Sequence, residues 1–139
     1  MIRWMMALVL LVAAPATVRA QDDSLASAAT AARRAWSAQD PVALLAESPR
    51  VVVQLPGADP APALGRDQAA ALLRDFFGRG QEVEVTLRSV REVEAGRGYV
   101  ELDRRYRVAG TQEVRDQSLL LGYRRGRQGW VLSEIRVVE

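Results

Sequence analysis

The chain of 139 residues has no cysteine, no histidine and no lysine. Without cysteine there is no disulfide, no thiol nucleophile and no zinc–thiolate site. Without histidine the commonest metal ligand is missing, as is the side chain best suited to proton transfer at neutral pH. A Ser-His-Asp triad cannot be assembled. Without lysine there is no Schiff-base chemistry. No metal site and no cofactor is expected from such a set, and no catalytic residue is assigned.

The first twenty residues read as a leader. Arg3 gives a positive start, Trp4 to Ala14 is an unbroken apolar run, and Val18-Arg19-Ala20 is a small-x-small cleavage signal. The run is short of the roughly 20 residues that span a bilayer. Cleavage after Ala20 is expected, which leaves residues 21–139 as one exported domain, periplasmic or secreted. No cysteine follows the cleavage site, so a lipid anchor is excluded, and no membrane association is expected after processing. Arg3 and Arg19 go with the leader. The remainder then carries equal numbers of basic and acidic side chains. Nucleic-acid binding needs a basic surplus to neutralise phosphates, so that role is not expected.

Along the remainder, Ser24 to Gln39 has the spacing of a helix, with Ala28, Ala31, Ala32, Ala35 and Trp36 on one face. Asp22, Asp23 and Ser24 suit its start. Asp40-Pro41 reads as a cap and first-turn proline before a short helix that buries Val42, Leu44 and Leu45. Arg50 to Leu55 is a strand, rich in β-branched residues. Three prolines and a glycine between Pro56 and Pro62 demand a loop, with a short strand possible at Ala63-Leu64. A third helix follows from Asp67, with Ala69, Leu72, Leu73, Phe76 and Phe77 as its apolar stripe and Gly78 at its end.

Four alternating segments close the chain. From Glu82 to Ala95, Val83, Val85 and Leu87 face one way and Glu84, Thr86 and Arg88 the other. The phase slips near Ser89-Val90, where a bulge would bend the strand. Tyr99 to Val108 places Val100, Leu102, Tyr106 and Val108 on one face. Glu113 to Tyr123 contains Leu119-Leu120-Leu121, for which both faces are expected to be covered. Trp130 to Val138 ends the sheet, and glycine-bearing turns separate all four.

This order of helix, helix, strand, loop, helix and four strands resembles the nuclear-transport-factor-2-like superfamily. Ala35-Trp36-Ser37-Ala38-Gln39-Asp40, Gly65-Arg66-Asp67-Gln68 with Leu72-Leu73-Arg74-Asp75-Phe76-Phe77, and Gly129-Trp130-Val131-Leu132-Ser133-Glu134-Ile135 carry the resemblance. It is similar above all to small exported domains of unknown function in that group. The resemblance implies an α+β fold in which N-terminal helices pack on a strongly curved antiparallel sheet. A cone-shaped pocket and a homodimer through the outer sheet face are implied with it. Family enzymes pair Asp with His or Tyr in the cone, and the absent histidine breaks that correspondence.

Several residues are candidates for the pocket: Trp36, Leu73, Phe76, Phe77, Tyr106, Asp116 and Trp130. The aromatic ones equally suit core packing. Asp116 is the carboxylate to watch on an apolar strand, unless Arg104 or Arg105 pairs with it. Glu101 and Asp103 share a strand face, either as paired carboxylates for acid–base work or as a solvated stripe continued by Arg105 and Arg107. Arg124, Arg125 and Arg127 fall on a hairpin tip, where solvated charge collects. The expected function is non-catalytic binding of a small apolar ligand or a protein partner. The alternative is an isomerase or dehydratase using Asp103, Glu101 or Asp116 with Tyr106.

Overall fold

The computed structural model describes residues 24–59 and 61–139. The expected leader, the acidic pair Asp22-Asp23 and Pro60 lie outside the described residues. Helix α1 (Leu25–Ser37) begins where the Ser24 hydroxyl accepts a hydrogen bond from the Ser27 N–H at 3.1 Å. It buries Leu25, Ala29, Ala32, Ala35 and Trp36. The buried stripe is therefore turned slightly from the expected one: Ala29 is inside and Ala31 is exposed. Leu25 sets that rotation, because it packs onto the backbone of Gly98, where any Cβ would collide with it.

Helix α2 (Pro41–Leu44) is capped by Asp40, whose Oδ1 accepts from the Ala43 N–H at 3.1 Å. Pro41, Leu44 and Leu45 are buried, but Val42 is 63% exposed, contrary to expectation, because a single turn buries only one side. Between α1 and α2, Gln39 adopts a left-handed φ of 52°. From there its amide donates to the Phe77 carbonyl at 3.1 Å and the Gly80 carbonyl at 2.7 Å. Those two bonds tie the first helices to the end of helix α3 (Arg66–Phe77).

The strands are β1 (Arg50–Gln54), β2 (Leu64–Gly65), β3 (Gly80–Glu94), β4 (Arg97–Val108), β5 (Val114–Gly126) and β6 (Gly129–Val138). They form one sheet in the order β2-β1-β6-β5-β4-β3. The four long strands are antiparallel neighbours, as expected, and β1 joins β6 in parallel. The helices pack on one face of this curved sheet.

Curvature comes from β3, whose pairing with β4 shifts at Glu82/Glu84, Leu87/Ser89 and Glu92/Glu94. The middle shift is the expected one, and the other two are not visible as breaks in alternation. The first has the largest consequence. Val83 is the extra residue there, and it is 49% exposed instead of buried. Beyond it the phase is inverted, so Glu82 shares the inner face with Val85. On the inner face Val100, Leu102, Leu119, Leu121, Ile135 and Val137 meet the helices. Leu120 is only half-buried on the opposite face, so the leucine run is covered on one side and not both. Trp36 sits at the centre of the helix–sheet core. Its ring is edge-on to Phe77 at 4.9 Å and to Phe76 at 6.2 Å between centroids.

Candidate functional site

Alternation along β4 carries the inner face from Val100 through Leu102 to Arg104 and Tyr106, so an arginine enters the cone. Arg104 is buried, and it has three kinds of partner. Its Nε donates to Glu82 Oε2 at 3.2 Å while Nη2 pairs with Glu82 Oε1. Its Nη1 donates to Gln117 Oε1 at 2.9 Å from the adjacent position on β5. Its guanidinium carbon lies 4.0 Å from the Tyr106 ring centroid, 5.1 Å from Phe76 and 5.8 Å from Trp36.

Both side chains of the Arg104–Glu82 pair are 2% exposed. Burial pushes the Glu82 carboxyl above its ordinary value, and the Arg104 charge and hydrogen bond work against that rise. A two-point ion pair in such surroundings is a fixed polar knot. Both carboxylate oxygens face the guanidinium, Oε2 as a hydrogen-bond acceptor and Oε1 as an ion-pair contact.

Arg104, though not Glu82, lines a cavity of about 230 Å³. Phe76, Tyr106, Val108 and Pro56 supply apolar wall, and Arg104 and Gln117 supply polar floor. Arg79, Arg115 and Glu139 stand at the rim. Arg79 is paired with Asp75 at 2.9 Å and Arg115 with Glu113 at 3.0 Å. Gly80 is required beside it, since a Cβ there would lie 2.8 Å from the Tyr106 ring.

Of the residues singled out from sequence, Phe76 and Tyr106 line this cavity. Trp36 is sealed behind Phe76, and Leu73 and Phe77 are core. Trp130 is elsewhere, half-buried on the β5–β6 hairpin with the Arg125 guanidinium 5.7 Å from its ring. Asp116 is on the outer face, exposed and paired with Arg105 at 3.2 Å. Asp103 is also on that face, within 3.5 Å of Arg88 and of the Ser118 hydroxyl. Glu101 follows it by the two-residue period. The three carboxylates weighed for acid–base chemistry are thus separated from Tyr106 by the thickness of the sheet. Asp103 and Asp116 border a larger outer hollow of about 470 Å³, where carboxylates and guanidiniums pair with one another in the open.

Arg104 enters the sequence reading only as an alternative partner for Asp116, a place that Arg105 takes, and Glu82 and Gln117 carry no site role in it. Strict alternation from Leu102 to Tyr106 already places Arg104 inside, and Gln117 follows two residues before Leu119. Glu82 carries no such signal, because the bulge at Val83 inverts its phase. Among the described residues no group of three acidic side chains is placed to hold a metal ion, and no helix is long and apolar enough to cross a membrane.

No protein-family model matches the chain, and no curated protein does. Solved structures do. A DUF4783 family protein from Bacteroides ovatus superposes with a TM-score of 0.64 at 10% identity, over 77% of this chain and 90% of that one. A ketosteroid isomerase-like protein from Erwinia carotovora atroseptica gives 0.66 at 20% identity, over 81% and 91%. A proposed dehydratase of the NTF2-like family from Streptomyces avermitilis gives 0.59 at 19% identity, over 81% and 91%. Element order, sheet curvature and these superpositions agree: the chain has the nuclear-transport-factor-2-like fold.

Proposed function

We propose that this is an exported, homodimeric, non-catalytic binding domain that holds a small, largely apolar molecule in the cone cavity. One observation carries the reading. The buried carboxylate inside the cone, Glu82, is held at two points by Arg104, which stands between it and the cavity that Arg104 lines, so the base that an isomerase or dehydratase would need is already engaged. The cavity volume, about 230 Å³, is below the roughly 300–1,000 Å³ of drug-sized sites, which favours a small ligand. The solved structures of this fold include ketosteroid isomerase-like and proposed dehydratase proteins. Their type of chemistry calls for a free base in the cone, and the candidate carboxylates of this chain lie on the outer face.

Native mass spectrometry of the mature protein, purified gently from its own host's exported fraction, tests this reading. The expected spectrum is a dimer that begins at Gln21 and carries a defined extra mass. A bare monomer that still retained residues 1–20 would count against every part of the proposal.

A further inference from the structure

We propose that Gln117 makes the cone cavity select molecules with a neutral hydrogen-bond-accepting oxygen, a carbonyl above all, attached to an apolar body. This inference rests on the cavity being a binding site. It begins with Arg104, whose guanidinium can only donate. Because Nη1 donates to Gln117 Oε1 at 2.9 Å, the orientation of that amide is forced. Oε1 faces Arg104, and Nε2 is turned away from it. Gln117 is 7% exposed and lines the cavity. Its Nε2 has no protein partner among the described residues, and it is not one of the polar atoms sealed from solvent. The floor of the cavity therefore presents an oriented N–H donor, held from behind by a buried ion.

An unpaired donor at the cavity floor penalises a hydrocarbon, which leaves it unpaired, and an ammonium, which brings a second donor. A carboxylate can accept the same bond but must give up its hydration to enter, and the positive charges nearby are already balanced and do not repay that cost. Arg104 is paired with Glu82, Arg79 with Asp75 and Arg115 with Glu113. Glu139 adds negative charge at the rim. The apolar body would lie against Phe76, Tyr106, Val108 and Pro56.

Four probes of one shape separate these cases: acetophenone, ethylbenzene, benzoate and benzylamine, each titrated into ¹⁵N-labelled protein by NMR. Acetophenone should bind about five- to tenfold more tightly than the other three, the ratio one net hydrogen bond supplies. Gln117→Glu keeps an oxygen for Arg104 but replaces the donor with an acceptor, so acetophenone should fall to the level of ethylbenzene. Gln117→Met removes the donor without adding charge and should do the same, which covers the case where Gln117→Glu does not fold. If another probe equals or exceeds acetophenone, or if both variants retain its advantage, the inference is overturned while the binding site stands. If none of the four shifts cavity resonances in the wild type, the binding reading itself falls and the inference falls with it.

Discussion

Replacing Arg104 by Met would leave the Glu82 carboxylate buried without its counter-ion, and we expect this to cost about 3–5 kcal/mol at neutral pH. The side chain of Glu82 is 2% exposed, so water cannot take the place of the guanidinium. Methionine retains an apolar, unbranched side chain among Trp36, Phe76 and Tyr106, so the loss reports chiefly on charge. Against a typical domain stability of roughly 5–15 kcal/mol, such a loss is large. Its pH dependence is the sharper test. Burial already raises the Glu82 pKa, and Arg104 is the main influence that opposes the rise. Without Arg104 the folded-state pKa climbs further above the unfolded one. A carboxyl shifted in that direction contributes its full stability below the unfolded pKa, and loses it as the pH rises through the folded pKa. The deficit of Arg104→Met should therefore be greatest at neutral pH and shrink as the pH falls toward the ordinary glutamate value, about 4.3. Urea unfolding followed by tryptophan fluorescence at pH 7.5 and pH 5 measures both quantities. Adding Glu82→Gln to the variant should recover most of the loss at pH 7.5, because no buried charge then remains. A deficit under about 1 kcal/mol, or one equal at the two pH values, would show that the pair does not bear on stability as argued.

Phe76→Ala removes a ring that packs on Trp36 and walls the cavity, and should cost about 3–5 kcal/mol in urea unfolding. An unchanged stability would mean that the ring serves the cavity alone. Gly80→Ala would force its Cβ to within 2.8 Å of the Tyr106 ring and 3.1 Å of the Arg107 carbonyl. A loss of about 1–3 kcal/mol is expected, together with shifted Tyr106 ring resonances in the NMR spectrum. Asp116→Asn should change stability by less than about 1 kcal/mol, since its pair with Arg105 is solvent-exposed. The same variant should leave acetophenone binding unchanged, because Asp116 is on the outer face.

Much of the fold is legible in the residues. Asp40-Pro41 marks the start of α2, the stripe Ala69, Leu73, Phe76 and Phe77 marks α3, and the glycine turns separate the long strands. These signals are local, so periodicity and cap chemistry reveal them. The parallel pairing of β1 with β6 is a long-range contact and has no local signature. The interior of the cone was only half legible for a related reason. Phe76 and Tyr106 are apolar or amphipathic, and they read as inward-facing. Arg104 and Gln117 occupy inward positions too, but a charged residue among Arg105 and Arg107 reads as surface until its partner is known. That partner, Glu82, is brought inside by a bulge that leaves no mark on the run Glu82-Val83-Glu84-Val85. A buried ion pair is a property of two strands in register, and neither strand encodes it alone.

The central claim is that the carboxylate inside the cone is engaged by Arg104 and is therefore not a free base. The side-chain Nε–Hε resonance of Arg104, observed by ¹⁵N NMR at pH 7, tests this most directly. The account predicts a resonance protected from solvent exchange, with the protection lost in Glu82→Ala. A rapidly exchanging Nε–Hε in the wild type would mean that the pair is open. Glu82 would then be a buried carboxylate of raised pKa opposite Tyr106 in the sheet, and catalysis would replace binding as the better reading of this site.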